Sequence, residues 1–535
     1  MTSLAVAIHV LSLDQGVRDA ARAAEMGADL VEFRIDRFTE EPSQVAQLVE
    51  RSALPCIVTC RPTWEGGFCG RADDERVALL GAAATLGAQA PTYIDVELAT
   101  YQRSDTLRSS VENIVDHPGQ MQQTSTGLIL SSHDFDQRPA DLIQKIEAMA
   151  AASACRVIKV AWQARSLRDN LEAFEVIQQR NKPTIALCMG PWGLPSRVLA
   201  RKFGALLTYA AVDSDGGTAS GQPTVTELKE LFRWDAINAE TSVFGVIGDP
   251  VTHSMGPAIH NAGFDAVGFN GVYLPLPIPA RYEHFNATVD SWLQMSQLHF
   301  RGASVTIPHK QNLLRFVADR GGQVEPLAEQ IGAANTLTVS GTGGASSLMA
   351  SNTDYAAALD AVCDGMGIER GELKGVRVAV IGAGGVARAI VAGFSSCGAT
   401  VVVYNRTLQK ARELAERFNG SPGKVVAALP EKICDSCCQV FVNCTSVGMH
   451  PNVDETPIPS AATTRGWGPG TTVFDTVYTP AQTRLLREAR AAGCVTISGV
   501  EMFVRQAAAQ FKLWTGQEAP LEVFRRVLQQ KLSKD

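Results

Sequence analysis

The sequence VAVIGAGGVARA, at residues 378–389, decides the fold of the C-terminal part of the chain. An apolar run of strand character meets Gly382, Gly384 and Gly385 and then continues with helical spacing. A second apolar run, VVVYNRT at residues 401–407, ends about 20 residues further on, as it does in a Rossmann unit. We therefore predict a Rossmann domain that binds a dinucleotide in this region.

The end of the second run indicates which dinucleotide is bound. NAD sites commonly place an acidic residue there for the ribose 2′-hydroxyl, whereas NADP sites avoid that charge and use arginine. This chain has Asn405, Arg406 and Thr407 at the corresponding position. A 2′-phosphate would meet a cation and two polar side chains, so we predict NADP as the cofactor.

The glycine-rich turn begins only at residue 382 of 535, although such a turn normally opens its domain. The residues ahead of it are too many for one partner domain, so we expect a further domain fused in front. The composition, 45% apolar and 19% charged, is that of an ordinary globular protein. The net charge of −7 argues against a nucleic-acid partner. The sequence does not specify an oligomeric state.

Three further classes of feature are not expected. The richest apolar stretch is interrupted by Arg388, so we predict no membrane span. The N-terminus, MTSLAVAIHVLSLDQG, has no basic region, which favours a cytoplasmic protein, or a mature plastid stroma form, over one with a leader peptide. The tightest cysteine cluster is Cys434, Cys437 and Cys438. It lacks a second pair or a histidine at zinc spacing, so we predict free thiols and no metal site.

Eight apolar runs alternate with helical stretches in the first 230 residues. Eight such units are the number in a (β/α)₈ barrel, and fully apolar strands suit a buried parallel sheet. We therefore predict an α/β protein whose residues 1–232 form a TIM barrel. The runs are LAVAIHV, DLVEFRI, PCIVTCR, TYIDVEL, GLILSSH, RVIKVAW, PTIALCM and ALLTYAA.

Polar residues lie in or just after the C-terminal half of nearly every run. One such charge is commonly paired or points between strand and helix, but five adjacent strands repeating the pattern favour an active site. In a barrel these strand ends converge on the face where active sites lie. The residues are Glu32, Arg34, Asp36, Arg61, Asp95, Glu97, His133, Asp134, Lys159 and Arg197.

Lys159 suggests the chemistry of this predicted site. It is flanked by Ile158 and Val160, and desolvation would favour the neutral amine, which attacks a ketone to form an imine. His133 is the natural proton carrier, and Glu97 could orient its ring. Arginines would bind an anionic substrate. The residues thus predict imine-assisted removal of a proton next to a carbonyl group.

These segments resemble type I 3-dehydroquinate dehydratase. The matching segments occur in order, one at each strand end: VEFRID, TCRPTWEGG, IDVEL, SSHDF, IKVA, MGPWGLPSR and TASGQPT. The resemblance implies Lys159 as the imine lysine, His133 as the acid/base and Glu97 as its partner. It implies substrate contacts at Glu32, Arg34, Arg61, Arg197, Gln222 and Thr218, the last standing where the family often has serine.

The polar residues 233–241 are predicted to be a linker, and VFGVIGDP starts a new strand after it. Lys310 follows the strand-like segment SVTIP, and Asp354 lies at the start of a helix leading to the Rossmann unit. In a cofactor cleft the two could handle the proton that accompanies hydride transfer to a ketone. The residues alone fit a surface ion pair equally well.

Residues 243–530 resemble shikimate dehydrogenase through GDPVTHS, VTIPHK, AANT, NTDY, GAGGVARA, NRT, NCTSVGM, FDTVY and GVEMFVRQAAAQFKLWTG. The resemblance implies a substrate-binding domain at 242–355, completed by 505–535, and a Rossmann domain at 356–504. It implies Lys310 and Asp354 as the catalytic pair. Implied substrate contacts are Ser254, Gly256, Thr306, Asn335, Tyr478 and Gln506. Implied cofactor contacts are Gly382, Ala383, Gly384, Gly385, Val386, Asn405, Arg406, Thr407, Lys410, Thr445, Thr476 and Gly499.

One position departs from the family pattern. The family usually has two serines in H-S-x-S-P, but this chain has glycine at the second, Gly256. Losing one charge-assisted hydrogen bond costs about 1.5–3 kcal/mol if nothing replaces it. Glycine also makes room for quinate, which carries an extra hydroxyl group and is a substrate of some relatives.

Together the two resemblances imply successive reactions. The first half would convert 3-dehydroquinate into 3-dehydroshikimate, and the second would reduce that ketone to shikimate with NADPH. Two alternatives remain: a dehydrogenase acting mainly on quinate, and a non-catalytic metabolite sensor. A sensor would have lost its chemistry, whereas this chain keeps Lys159, His133, Lys310 and Asp354.

Overall fold

The computed structural model describes residues 2–38, 42–84, 86, 89–120, 124–179, 181–213, 220–251, 254–341, 346–435, 437–458 and 467–532. Contacts between Cα atoms divide the chain into two compact units. The first unit comprises Met1–Thr241, Leu276–Ile278 and Asp290–His299, and the second comprises the remainder. Among the described helices, none is both long enough and apolar enough to cross a bilayer.

The first unit contains a nearly closed barrel of eight parallel strands, as the sequence predicts. Hydrogen-bonded ladders run from β7 through β1 to β8. The amide of Leu206 donates to the carbonyl of Thr184 (3.0 Å) and joins β8 to β7. The strands are β1 Ser3–His9, β2 Leu30–Arg34, β3 Cys56–Thr59, β4 Tyr93–Glu97, β5 Gly127–Asp134, β6 Cys155–Gln163, β7 Thr184–Met189 and β8 Leu207–Ala210.

Helices connect these strands. The described α-helices of the barrel are Leu13–Glu25, Pro42–Glu50, Asp73–Ala84, Leu98–Gln102, Asp105–Glu112, Leu142–Ala151, Asp169–Gln178, Leu194–Val198 and Ala200–Phe203. The segment Glu227–Leu231 is a π-helix. Ser12 caps the first helix by accepting a hydrogen bond from the amide of Gln15.

The interior of the barrel changes character along the strands. Side chains alternate between faces, so every second residue of each strand points inward. The inward residues at the N-terminal ends are apolar, including Ala5, Leu30 and Ile57. Nearer the C-terminal ends the buried residues are polar or charged: Glu32, Thr59, Asp95, Ser131 and Lys159. The strand period therefore places the charged residues in one layer near the mouth of the barrel.

The second unit contains two six-stranded sheets. The first is mixed, in the order β10-β9-β11-β13-β14-β12. Its strands are β9 Ser242–Gly248, β10 Gly271–Pro277, β11 Phe300–Val305, β12 Gln323–Val324, β13 Thr336–Ser340 and β14 Ser347–Ser351. Its helices are Gly256–Ala266, Tyr282–Gln294, Lys310–Asp319 and Pro326–Ile331.

The other sheet is parallel, in the order β17-β16-β15-β18-β19-β20, which is the 3-2-1-4-5-6 order of a Rossmann fold. Its strands are β15 Arg377–Ile381, β16 Thr400–Tyr404, β17 Lys424–Ala428, β18 Val440–Asn443, β19 Thr472–Asp475 and β20 Val495–Ile497. The helices that follow β14 are Thr353–Met366, Gly385–Ser396, Leu408–Arg417, Arg484–Ala491, Gly499–Thr515 and Leu521–Leu532. The predicted Rossmann domain is confirmed.

The last two helices pack on the mixed sheet. The indole of Trp514 donates to the carbonyl of Leu337 on β13 (3.0 Å). Phe511 and Phe524 are fully buried in an aromatic core with Phe244 and Phe264. The chain thus returns to the mixed sheet after the Rossmann strands.

Candidate active sites

Lys159 lies at the centre of a charged layer inside the barrel. Its ammonium is 2.8 Å from Asp95 Oδ2 and 3.4 Å from both carboxylate oxygens of Glu32. The ring of Tyr209 lies 4.6 Å away. The expectation of apolar surroundings for this lysine is wrong. Its sequence neighbours lie on the opposite face of the strand, and the inward layer supplies carboxylates instead.

His133 pairs with a carboxylate that the sequence interpretation missed. Its ring Nδ1 lies 2.8 Å from Glu65 Oε1, and its backbone amide donates to the same oxygen at 3.1 Å. Glu65 ends a short 3₁₀ helix, Thr63–Glu65, in the loop after β3. Glu65 belongs to the segment TCRPTWEGG, which carries part of the resemblance to the dehydratase family. It stands four residues after Arg61 in that segment.

Glu97 does not contact His133, so the expected Glu97–His133 pair is wrong. The carboxylate of Glu97 accepts hydrogen bonds from Arg61 (2.9 Å) and Arg76 (2.8 Å). Arg76 in turn binds Asp73. Both oxygens of Glu97 are taken by these two arginines, because β4 directs the side chain between them. Glu97 therefore holds Arg61 in place beside the cavity.

Burial and neighbouring charges set the protonation of the barrel site. Burial lowers the pKa of His133 well below its usual value, and the charges of Arg61 and Lys159 lower it further. Burial raises the pKa of Glu65 to about 8, although Arg61 opposes the shift. Burial alone would raise the pKa of Asp95, but Arg61 and Lys159 bring it below its usual range. The histidine is thus neutral and the carboxylate beside the lysine is ionised.

Arg197 has a buried guanidinium that the described residues leave partly unsatisfied. It is buried, and its Nε has no hydrogen-bond partner among them. Burial lowers its pKa to about 10. Arg34 by contrast pairs with Asp36 at 2.9 Å. A buried guanidinium without a carboxylate partner is suited to an anionic ligand.

The structure brings seven of the predicted barrel residues to one cavity. Four others, Asp36, Asp95, Glu97 and Asp134, are not part of its lining, and Thr218 lies outside the described residues. The predicted residues that line the cavity are Glu32, Arg34, Arg61, His133, Lys159, Arg197 and Gln222.

Lys310 and Asp354 form the second predicted pair, at a cavity of about 370 Å³ in the second unit. The ammonium lies 2.6 Å from Asp354 Oδ2, and the side-chain amide of Asn335 donates to Oδ1 at 2.9 Å. The two side chains are only 25% and 13% exposed, so they are not a surface ion pair. Lys310 begins one helix, and Asn352 caps the helix that carries Asp354.

All six predicted substrate residues and three of the predicted cofactor residues line the same cavity as this pair. Those that line the cavity with it are Ser254, Gly256, Thr306, Asn335, Val386, Thr476, Tyr478, Gly499 and Gln506.

A buried polar relay at the same cavity was missed by sequence reasoning. The hydroxyl of Tyr273 donates to Ser304 Oγ, which donates to Gln510 Oε1, each at 2.7 Å. The Gln510 amide donates to Thr336 Oγ1 at 3.1 Å and to the carbonyl of Asn335 at 3.3 Å. The relay joins β10, β11 and β13 to the helix Gly499–Thr515. Sequence reasoning missed these residues because they lie in core strands and a core helix, where the spacing of residues along the sequence indicates only packing.

Gly256, the residue that departs from the family pattern, begins the helix Gly256–Ala266. A Cβ added there would lie 3.1 Å from Tyr273 Cε1, 3.2 Å from its hydroxyl and 3.3 Å from Ser254 Oγ. Any side chain at this position therefore needs Tyr273 to move by a few tenths of an ångström. Tyr273 lines the cavity beside Gly256, although its side chain is fully buried.

The glycine-rich turn has room for a bound phosphate group. Gly382 has a φ of 108°, and its amide donates to Tyr404 on the next strand at 2.8 Å. A Cβ at Gly384 or Gly385 would meet no atom within 4 Å, so the start of the helix Gly385–Ser396 faces open space. Helix N-termini of this kind bind phosphate through backbone N–H groups.

The other cofactor residues lie around this turn. Asn405 follows β16 and is tied to the Thr407 carbonyl, while Arg406, Thr407 and Lys410 are exposed. A Cβ at Gly499 would lie 2.6 Å from the Thr476 carbonyl, so only glycine fits there. These residues fit an NADP 2′-phosphate, because cations are exposed and residues 405–410 contain no acid.

Thr445 is held by a buried network that sequence reasoning missed. Asn443 accepts hydrogen bonds from the amide and hydroxyl of Thr445, and it donates to Asp475 at 2.9 Å. Asp475 also accepts from Thr483 at 2.7 Å.

Over the described part of the chain, no three His, Cys, Asp or Glu side chains could hold a metal ion together.

Comparison with family models divides the chain in the same way. The model of type I 3-dehydroquinase matches residues 4–239. The model of the shikimate dehydrogenase substrate binding domain matches residues 246–337. The shikimate / quinate 5-dehydrogenase model matches 367–447, and that of the shikimate 5′-dehydrogenase C-terminal domain matches 499–529.

Individual proteins are similar to this chain. The bifunctional 3-dehydroquinate dehydratase/shikimate dehydrogenase, chloroplastic, of Arabidopsis thaliana is 37% identical over 532 residues, 97% of this chain and 82% of the relative. Shikimate dehydrogenase (NADP(+)) of Methanosarcina acetivorans is 40% identical, over 54% of this chain and 98% of the relative. The structure of shikimate 5-dehydrogenase from Thermus thermophilus with NADP(H) and shikimate is 32% identical, over 54% of this chain and 99% of that one, with a TM-score of 0.46.

Proposed function

The chain belongs to the family of bifunctional 3-dehydroquinate dehydratase/shikimate dehydrogenases, and from this membership we propose how its residues perform the two reactions. It is a lyase and an oxidoreductase of the shikimate pathway. The barrel dehydrates 3-dehydroquinate to 3-dehydroshikimate, and the second unit reduces 3-dehydroshikimate to shikimate with NADPH. The observation that carries the assignment of residues is the convergence of the predicted residues on one cavity in each unit.

In the barrel, Lys159 forms the imine with the substrate ketone. The amine attacks the carbonyl carbon, and loss of water leaves a protonated imine that acidifies the adjacent C–H bond. Asp95, 2.8 Å from the ammonium, holds the lysine side chain in position for this attack. His133, neutral before substrate arrives, removes the adjacent proton and then protonates the departing hydroxyl group. Water then hydrolyses the imine and releases 3-dehydroshikimate.

Two neighbours support these steps. Glu65 holds the His133 ring and stabilises the imidazolium that forms during the reaction. Arg197, whose buried Nε lacks a described protein partner, binds the carboxylate of the substrate. We propose Glu32, Arg34, Arg61, Gln222 and Thr218 as the other substrate contacts.

In the second unit, Lys310 protonates the ketone oxygen as it is reduced. NADPH, when bound, supplies the hydride. Asp354 keeps the ammonium oriented and charged, and Asn335 holds the other oxygen of Asp354. Ser254, Thr306, Tyr478 and Gln506 bind the substrate, with Gly256 leaving space beside Ser254.

The cofactor-binding residues follow the Rossmann arrangement. The turn from Gly382 through Ala383 to Gly385, with Val386, holds the pyrophosphate at the helix N-terminus. Asn405, Arg406, Thr407 and Lys410 would bind the 2′-phosphate, and Thr445, Thr476 and Gly499 would be further contacts of the cofactor. The domain boundaries proposed from the sequence, 1–232, 233–241, 242–355 with 505–535, and 356–504, belong to the same proposal.

The cellular location proposed for the enzyme is the cytoplasm, or the plastid stroma for a mature plant form. The eleven cysteines whose state is described are all free thiols, which suits a reducing compartment.

A coupled assay tests the function directly. The purified chain is given 3-dehydroquinate and NADPH, and both the loss of NADPH absorbance and the formation of shikimate are measured. We expect one shikimate for each NADPH consumed, with 3-dehydroshikimate as the intermediate. Binding of 3-dehydroquinate and 3-dehydroshikimate without turnover would instead identify a metabolite sensor.

A further inference from the structure

Asp36 lies just after β2 and is not part of the lining of the barrel cavity. Its carboxylate is buried, and both of its oxygens bind Arg34, which does line the cavity. Arg34 Nε donates to Oδ1 at 2.9 Å, and Arg34 Nη2 donates to Oδ2 at 3.1 Å. A bidentate pair of this kind fixes the plane of the guanidinium group. The direction of the Arg34 side chain at the cavity therefore depends on Asp36.

The same carboxylate also binds the loop after β3. The backbone amide of Phe68 donates to Asp36 Oδ2 at 3.1 Å, so this oxygen accepts two hydrogen bonds. The loop carries Glu65, which lies 2.8 Å from the ring of His133. One buried carboxylate therefore joins a residue proposed to bind the substrate to the segment that positions the acid/base.

The chain between Glu65 and Phe68 is folded tightly. The amide of Gly67 donates to the carbonyl of Pro62 at 2.9 Å. A Cβ added at Gly67 would lie 2.1 Å from the carbonyl oxygen of Arg61, so only glycine fits there. Because the loop is packed against itself, a change in the position of Phe68 displaces Glu65 as well.

The ring of Phe68 has contacts of its own, but they are weaker. The guanidinium carbon of Arg37 lies 3.5 Å from the ring centroid, and the ring of His9 meets it edge-on at 5.7 Å. The side chain of Phe68 is 47% exposed, and a cation–π contact at an exposed site contributes less than a hydrogen bond to a buried charge. The bond from the backbone amide to Asp36 is therefore the main tie between the loop and β2.

We propose that Asp36 is a positioning residue of the dehydratase, which holds Arg34 and the loop of Glu65 in the arrangement that the reaction needs. The proposal rests on the dehydratase function of the barrel cavity. Asp36 acts only through its neighbours: Arg34 binds the substrate, and Glu65 orients the ring of His133. A disturbance of Asp36 should therefore affect both KM and kcat.

Two substitutions of Asp36 in the full chain test this role. Three N–H groups of Arg34 and Phe68 point at the carboxylate, whereas an asparagine has one acceptor oxygen. The NH2 group of Asp36→Asn must therefore face at least one donor. Asp36→Glu keeps the charge and both oxygens, but an additional C–C bond moves them by about 1.5 Å.

The constants kcat and KM of dehydration are measured above about pH 8, where Glu65 is ionised. We expect Asp36→Asn to raise KM and to lower kcat at least tenfold, because a displacement of about 1 Å near a reacting group costs about 100-fold in rate. Asp36→Glu should lower kcat to a similar extent, which separates the position of the carboxylate from its charge. Reduction of 3-dehydroshikimate should be unchanged in both variants.

Asp29→Asn is the matched control at the opposite end of the same strand. Asp29 directly precedes β2, and its carboxylate accepts a hydrogen bond from the backbone amide of Leu4 at 2.7 Å. This substitution also removes an acid that binds a backbone amide, but it does so at the N-terminal end of the barrel strands. Both constants of dehydration should be unchanged.

A wild-type kcat in the Asp36 variants would overturn the proposal. A higher KM with an unchanged kcat would overturn it as well, because Asp36 would then serve Arg34 alone. A measurement on the wild type needs no variant to fold: the amide of Phe68 should be protected from hydrogen exchange, and rapid exchange would contradict its bond to Asp36. A wild-type protein without dehydratase activity would instead refute the proposed function, so the two failures are distinguishable.

Discussion

The lysine of the barrel site is enclosed, whereas the lysine of the dehydrogenase site borders an open cleft. The Lys159 side chain is 5% exposed and contacts two carboxylates, and that of Lys310 is 25% exposed and contacts one. Imine chemistry needs several proton transfers in one cavity, so acids and bases surround the lysine. Reduction of a ketone needs one proton and a second bound molecule, so one ion pair beside a cofactor cleft is sufficient.

Removing each lysine should separate the two activities, and this is the largest effect expected. Lys159→Ala should abolish dehydration and leave reduction of 3-dehydroshikimate intact, since imine formation has no substitute amine. Lys310→Ala should lower the rate of reduction by about 10²–10⁴-fold, the usual contribution of a general acid, and leave dehydration intact. Steady-state assays of both reactions on both variants check this, and a variant that loses both activities contradicts the independence of the sites.

The ionisation of Glu65, the carboxyl group beside His133, should be visible in the pH profile of dehydration. Glu65 is neutral below about pH 8 and anionic above it, and the anion stabilises the imidazolium. The dehydratase kcat/KM should therefore rise as the pH increases through about 8. Glu65→Gln should remove this step and lower kcat/KM by about 10–100-fold.

Glu97→Gln is the matched control for Glu65, because both carboxylates are buried near Arg61. Since Glu97 binds two arginines and not His133, its substitution should lower the temperature of unfolding. The ionisation of Glu65 should persist but move to lower pH, because the charge of Glu97 raises the pKa of Glu65. If Glu97→Gln lost this ionisation and Glu65→Gln kept it, Glu97 and not Glu65 would be the partner of His133.

The cofactor preference should depend on Arg406. The wild type should prefer NADPH strongly over NADH, and Arg406→Ala should reduce the preference mainly by raising the KM for NADPH. Arg412→Ala, at an exposed position of the following helix, is the control and should change neither constant. Equal use of both cofactors by the wild type would contradict the phosphate-binding role.

The smallest effect is expected at Gly256. The wild type should oxidise shikimate and, at a measurable rate, quinate, because Gly256 places no side chain next to Ser254 Oγ. Gly256→Ser should shift the ratio of specificity constants towards shikimate by about tenfold, which corresponds to about 1.4 kcal/mol. Kinetics of both proteins on both acids test this. An unchanged ratio would show that Tyr273 and its neighbours already compensate for the missing hydroxyl.

The sequence predicted the parts of this molecule that are periodic. All eight barrel strands and the Rossmann turn follow from apolar runs between helical stretches and from glycine spacing. The Lys310–Asp354 pair was assigned only through the family resemblance, because the residues alone fit a surface ion pair equally well. The environment of Lys159 did not follow, because it depends on which residues of neighbouring strands share its layer. Glu65 was missed because a loop residue has no period, and Tyr273 and Gln510 were missed because buried polar residues of a core resemble packing.

The proposed dehydration depends most on Lys159, the nucleophile of an enclosed and charged site. Borohydride added during turnover of 3-dehydroquinate traps an imine as a stable amine, and mass spectrometry locates the added mass. We predict a single modified peptide that contains Lys159, and none in Lys159→Ala. A wild-type protein that dehydrates 3-dehydroquinate at full rate without any trapped adduct on Lys159 would contradict the account.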